Sequence, residues 1–384
     1  MTDRAVINAD LKFVQGILNS GGADLKKCYQ CSTCTVACPL SEEGVPFPRK
    51  EMIYAQWGIR DKLINSVDSW LCHHCNDCSD QCPRGARPGD VMGAIRQMSI
   101  RAFSKPSLVA KAANSPLGAL LLLLIPMLII GGVICFLNAD QGFDFLTRER
   151  IIYANMIPVI AIDLIFMSAA FFAVITMILG LRGFIGGLKK GNPIINGGET
   201  LGQAVTGTIR DILSHRKFKE CGVNQSRGTA HLLMMYGFIG LFITTNLVLV
   251  IHYLHEFGFD IQDTPFPFFH PVKILGNVSA LAAFIGIFLI TARRLFNQGV
   301  GKSSSFDWIF IGVMFLTVLT GIMSQVFRVA EFVEIAFITY YFHLVFVFFL
   351  LAFAPHTKFG HLFYRTTAMI YARYCGRSLP LKQD

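Results

Sequence analysis

The chain has 384 residues, 53% of them hydrophobic and only 15% charged, a balance characteristic of membrane proteins. Its length allows two or three domains, and 34 Lys and Arg against 25 Asp and Glu leave a formal charge of +9. The placement of those charges, given below, assigns the excess to membrane topology and speaks against a nucleic-acid partner.

The first residues, MTDRAVINADLKF, hold no apolar signal-peptide core. Leu11, Val14, Ile17 and Leu18 then recur at helical spacing until Gly21 and Gly22 break the pattern. Next come Cys28, Cys31, Cys34 and Cys38 followed by Pro39, and later Cys72, Cys75, Cys78 and Cys82 followed by Pro83. Both runs read C-x2-C-x2-C-x3-C-P. Iron–sulfur clusters need thiolate ligands, and this run is a ligation pattern for paired [4Fe–4S] cubes, the fourth Cys of each run binding the other cluster. Structural zinc usually takes its thiolates from two well-separated Cys pairs, and a disulfide framework needs an oxidising compartment. The eight cysteines are therefore expected to hold the iron of two [4Fe–4S] clusters. Cys135, Cys221 and Cys375 stand alone and read as packing residues.

Between the runs, Arg49 to Leu63 is helix-like, and Asp90 is placed to cap a helix through Val91, Ile95 and Met98. Strand-like alternation is absent. Residues 1–112 are accordingly expected to form a helical two-cluster ferredoxin domain in an all-α protein, with Trp70, His73 and His74 as packing or surface residues.

Beyond Pro116 six apolar stretches follow, at about 117–137, 157–181, 229–252, 274–291, 308–326 and 333–354, each near the roughly 20 residues that a bilayer-spanning helix needs. Residues 113–384 thus read as a six-helix transmembrane bundle with a C-terminal tail. Arg182, Lys189, Lys190, Arg210, Arg216, Lys217, Lys219 and Arg227 follow the second span, and Arg293, Arg294 and Lys302 the fourth. Lys358, Arg365, Arg373, Arg377 and Lys382 follow the sixth. The opposite connections carry Asp140, Asp144 and Glu149, then Glu256, Asp260 and Asp263, then Glu331 and Glu334. The positive-inside rule puts both termini and the cluster domain on the cytoplasmic side of the cytoplasmic (inner) membrane.

The third and sixth spans carry histidines, and a haem b between membrane helices needs inward-facing imidazoles. At about 100° per residue the step from His343 to His361 returns to one face, whereas the step to His356 does not. Pro355, between them, is able to kink that helix. His231 and His252 of the third span lie roughly 31 Å apart, against roughly 27 Å for His343 and His361. These depths pair His231 with His361 on the cytoplasmic side and His252 with His343 on the outer side, for two haems. His252 sits about 60° off the face of His231, so His255 and His270 stand as alternatives to it. His215, in a basic connection, reads as a surface residue.

The stretch HLVFVFFLLAFAPHTKFGH, from His343 to His361, resembles the last helix of the gamma-type cytochrome b of respiratory nitrate reductases, which has two haem histidines at this spacing and a proline before the second. The cluster domain resembles the C subunit of heterodisulfide reductases. A single chain joining the two resembles the C subunits of quinone-interacting membrane-bound oxidoreductase complexes of sulfur-metabolising bacteria and archaea. In the nitrate-reductase pattern the partner helix carries two histidines about ten residues apart, and here Leu241 stands ten residues after His231, so the fourth axial ligand stays open.

That resemblance implies a quinone-linked oxidoreductase subunit of a respiratory complex. It would exchange electrons between the menaquinone pool, b haems and the two clusters, and pass them to flavin- and cluster-bearing cytoplasmic subunits that serve adenylylsulfate reductase. No flavin or nucleotide motif is present, so the chain itself reads as a relay embedded in membrane lipid. Asp163, with Arg328 and Glu331, is a candidate lining for an outer quinone pocket. Two alternatives are a membrane module of a heterodisulfide reductase-like complex and a membrane anchor that carries clusters but no haem.

Overall fold

The structure is a computed structural model that describes residues 8–147, 150–192, 198–215, 226–262, 264–296, 301 and 303–377, with the side chains of Ser226 and Arg227 left undescribed. Cys221, Glu149, Asp263, Arg216, Lys217, Lys219, Lys302 and Lys382 lie outside the described residues. Among those described, every regular element is helical, and the one β feature is an isolated bridge between Glu42 and Val45.

The cluster-bearing part contains α1 (Leu11–Asn19), α2 (Thr33–Ala37), α3 (Arg49–Gln56), α4 (Arg60–Ile64), α5 (Asp68–Leu71), α6 (Asp77–Asp80), α7 (Pro88–Phe103) and α8 (Ser107–Ala112). Asp10 caps α1 by accepting from the Phe13 amide at 2.9 Å, and the helix buries Phe13 and Ile17. The single helix expected from Arg49 to Leu63 is two, α3 and α4. Gly58 between them has φ +67°, and a Cβ there would come within 2.9 Å of the Asp10 backbone, so only glycine makes this turn. Asp90 does not cap α7. Pro88 opens that helix at N1, and Asp90 accepts from Arg87 Nε at 2.6 Å instead.

The six spans are α9 (Pro116–Asn138), α10 (Val159–Gly191), α12 (Ser226–Glu256), α13 (Pro271–Phe296), α14 (Ser305–Val329) and α15 (Val333–Ala352), with α11 (Leu201–Ser214) between the second and third. Each is long and apolar enough to cross a membrane. Within the bundle α12 packs on α13, α13 on α14, α14 on α15, and α15 on α9 and α10; α12 is the least buried of the six. The 33 residues of α10 extend about 50 Å, longer than the stretch read from the sequence. The extra turns reach the cluster domain, where Asn192 donates to the Asn65 carbonyl at 2.7 Å.

The last span also departs from expectation. Pro355 has no amide hydrogen to continue the ladder, so α15 stops at Ala352, two short 3-10 turns follow, and α16 (His361–Tyr374) starts afresh at His361. The face count from His343 to His361 along one continuous helix therefore does not apply. α16 turns back onto the cluster domain. Trp70, fully buried, stacks on Tyr364 with centroids 5.6 Å apart and meets Phe184 of α10 edge-on at 5.5 Å. Such aromatic pairs add about 0.5–1.5 kcal/mol beyond area burial. Buried Asp68 binds Lys50 at 2.7 Å and Arg377 at 3.0 Å, and Ser104 donates to the Pro355 carbonyl at 3.1 Å. These contacts seat the cluster domain on α10 and α16.

Candidate functional site: two thiolate groups beside a histidine-lined cavity

The two cysteine runs fold alike. Gln30 and His74, each two residues after the first Cys of its run, have φ +61° and +55°; Ser32 and Asn76, each one residue after the second Cys, have φ +71° and +70°. Each left-handed turn leads into a short helix, α2 or α6, and these two helices pack side by side. Turns of this kind aim backbone amides at an anionic centre. The amides of His74 and Ala86 approach Cys72 Sγ and Cys82 Sγ at 3.3 and 3.4 Å, and Gln30 Nε2 approaches Cys28 Sγ at 3.4 Å.

The cysteines group across the runs. Burial pushes Cys34 up to about 11, aided by the charges of Cys28, Cys82 and Cys31. Burial pushes Cys38 up to about 12, aided by Cys72 and Cys75, and raises Cys78 further with Cys72, Cys38 and Cys75 as neighbours. One group is thus Cys28, Cys31, Cys34 and Cys82; the other is Cys72, Cys75, Cys78 and Cys38, which together line one small cavity with Phe47 and Met92. Among the described residues no three of His, Cys, Asp or Glu stand close enough to share a single ion, and none of the cysteines forms a disulfide. A cube does not require that closeness, because each thiolate binds a different iron. The residues present fit two cubes. The first group is the outer one: Cys31 is exposed, and its thiol is lowered by the Thr33 hydroxyl.

A larger cavity of about 230 Å³ lies between the second group and the membrane helices. Trp70, His73 and His74 of the cluster domain form one wall. His231 on α12 and His361 at the start of α16 line it as well, above an apolar floor that includes Met234, Ile287 and Phe310. His361 Nδ1 donates to the Lys358 carbonyl at 2.6 Å. A carbonyl only accepts, so the other nitrogen, Nε2, keeps its lone pair. Burial, joined by the charges of Lys358, Arg365 and Arg96, pushes this imidazole down to about 4, so it is neutral at ordinary pH, the form that binds a metal. His231 Nδ1 and His215 Nε2 share a hydrogen bond of 2.9 Å. His215 is thus not the surface residue expected; it is 7% exposed and orients the ring of His231. A second imidazole behind a ligand histidine is a way to fix its tautomer.

The rim of the cavity is cationic. Among the described residues, Arg96, Arg293, Arg294, Lys358 and Arg365 line it with Asp90 and Asp307, five positive against two negative groups. Asp307 takes Lys358 and, at 4.0 Å, Arg294. By sequence alone Arg293, Arg294, Lys358 and Arg365 read as topology. Their role at the cavity shows there only as Arg365 standing one helical turn after His361.

The other histidines stand elsewhere. His356 is fully buried and its Nε2 donates to the Lys105 carbonyl at 3.0 Å. His343 Nδ1 donates to the Thr317 carbonyl at 3.0 Å, with its ring beside Gly321. His252 meets the Tyr253 ring edge-on, His255 Nδ1 donates to the Ile261 carbonyl at 2.9 Å, and His270 stacks on Phe266. Asp163 accepts from the Tyr253 hydroxyl at 2.6 Å. Arg328 bears on Tyr153, and Glu331 follows α14 with φ +60°.

Cysteine groups for two cubes, in a chain that also has six helices long and apolar enough to cross a membrane, define a membrane-bound electron-transfer subunit. Comparison with known proteins agrees with that class. Residues 24–86 match the 4Fe-4S dicluster domain family. The chain is 30% identical over 116 residues to a protein of Archaeoglobus profundus named for its likeness to the C subunit of heterodisulfide reductase, covering 30% of this chain and 62% of that one. It is 34% identical over 102 residues to the C subunit of the H2:CoB-CoM heterodisulfide,ferredoxin reductase of Methanothermobacter marburgensis, covering 26% and 55%. It is 29% identical over 163 residues to the E subunit of the dihydromethanophenazine:CoB–CoM heterodisulfide reductase of Methanosarcina thermophila, covering 40% and 61%. The chain spans little more than half the length of these relatives. No solved structure matches it.

Proposed function

We propose that the chain is the membrane subunit of a heterodisulfide reductase-like complex, carrying electrons between a lipophilic two-electron carrier and a soluble redox partner, with His231 and His361 as the residues that would hold a haem b. The observation that carries this reading is the shared cavity: the two histidines line one space together with His73 and His74, which stand between Cys72 and Cys75. Bound there, haem and clusters would supply one-electron carriers between a two-electron reaction in the membrane and one outside it. The chain's own residues do the rest. His215 and the Lys358 carbonyl orient the two imidazoles, α16 and α10 hold the cluster domain over the cavity, and exposed Cys31 leaves the first thiolate group facing a partner. The name of the Methanosarcina relative supports a heterodisulfide reductase partner over adenylylsulfate reductase, and either menaquinol or a phenazine fits the membrane carrier. A second haem between His252 and His343 draws support from the tautomer of His343 alone. The basic connections support both termini in the cytoplasm, with units at 1–112 and 113–384.

Stopped-flow mixing of the full detergent-solubilised chain with menadiol, and separately with a reduced phenazine, tests the reading. Reduction of a b-type haem followed by bleaching of the cluster absorbance is expected with at least one donor. Cluster bleaching without any haem signal would contradict it.

A further inference from the structure

The cavity is lined by more positive than negative groups, and one of those charges is held in place by the cluster domain. Arg365 lies one turn after His361 on α16, so both side chains leave the same face of the helix. Its Nη2 donates to His73 Nδ1 at 3.0 Å; a guanidinium only donates, so this imidazole nitrogen accepts. His73 is 8% exposed and directly follows Cys72. Arg96 makes the parallel contact, donating to His74 Nδ1 and the Ser69 carbonyl, both at 2.8 Å. Among the described residues, Asp307 takes both Lys358 and Arg294, and Asp90 takes Arg87, with His74 at 3.7 Å. An apolar slot between two imidazoles, closed at one rim by an excess of guanidinium groups, suits a flat apolar ligand with carboxylates along one edge.

We propose that Arg365 is the positioning residue that receives a carboxylate of the haem and joins it, through His73, to the cysteine group of the second cluster. This rests on the haem reading above and adds an orientation to it: the carboxylate edge faces the cluster domain, and the apolar edge faces Met234, Ile287 and Phe310. The guanidinium then has two effects. Its charge favours the electron-rich state of the nearby iron, and its hydrogen bonds give a short connection to the residue after Cys72.

The test compares wild type, R365Q and R365K as full chains by optical redox titration of the haem, with cluster EPR signals as the check on assembly. R365Q is expected to lower the haem midpoint potential and to slow electron exchange between haem and clusters at least tenfold. R365K, which keeps the charge but not the fork, should stay near the wild-type potential and still exchange slowly. An unchanged potential in R365Q with haem and clusters intact would overturn the proposal while leaving the haem reading standing. No haem in the wild type would overturn both. Wild-type chain loaded with protohaem dimethyl ester gives the same test without any substitution: retention at least tenfold weaker than for protohaem is expected, and equal retention would overturn the proposal.

Discussion

Two regions of the membrane bundle treat their histidines differently. At the end beside the cluster domain His231 and His361 share a cavity whose walls come from that domain, α12, α13, α14 and α16. Away from it, His343 in the middle of α15 is folded against α14, and His252 near the far end of α12 meets its neighbour Tyr253. The difference follows from what surrounds them. The shared cavity is built where the cluster domain meets the bundle, so polar and charged groups stand around an apolar slot. His343 lies among helix side chains, where its imidazole bonds the Thr317 carbonyl at 3.0 Å with the Thr320 hydroxyl 3.3 Å away. A site assembled from two kinds of structure is the one that brings its ligands together.

The largest test of this contrast removes the cluster that faces the cavity. Cys38→Ser should abolish the same cluster EPR signal as Cys78→Ser, while Cys82→Ser should abolish the one lost in Cys28→Ser, because the fourth cysteine of each run serves the other group. Loss of matching signals within a run would break the crossed assignment. Next in size is the joint that seats the cluster domain. Trp70→Ala should destabilise the chain by about 3–5 kcal/mol, read as cluster release at lower temperature in thermal unfolding, while the exposed Trp57→Ala should barely matter. His343→Leu should leave the potential of the haem proposed between His231 and His361 at its wild-type value, measured by optical titration; a shift would show that the two regions are not separate. The smallest effect is expected from His215→Ala. With a haem held by His231, the His215 ring at 2.9 Å from His231 Nδ1 would accept from it, making that imidazole more basic and favouring the ferric state. Removing that acceptor should raise the haem potential slightly, with haem content unchanged.

Much of this is legible in the sequence, for reasons that differ by region. The cysteine runs are short and local, so spacing alone reports their chemistry, and the six spans show as unbroken apolar composition. His231 and His361 line one cavity, although the rise and face counts from His343 to His361 both assume a continuous helix that breaks at Pro355. The two continue to share a site because α16 is held by Trp70 and Phe184 packed on Tyr364, a long-range contact with no local signature. The same lack hides His215, which sits in a basic connection with φ +49° and meets its partner only through folding. The rim cations are visible but read as topology, since charge near a span end serves both purposes at once. The break between α3 and α4 is signalled by Gly58, yet its cause, the close approach of Asp10, is tertiary.

The most direct test of the central claim is haem content, by pyridine haemochrome, of the purified full chain beside H231L and H361L, each checked for intact clusters by EPR. At least one haem b per wild-type chain, with the same single haem lost from both variants, is the predicted result. Wild-type haem content in either variant, or no haem in a wild type with both clusters present, would contradict it.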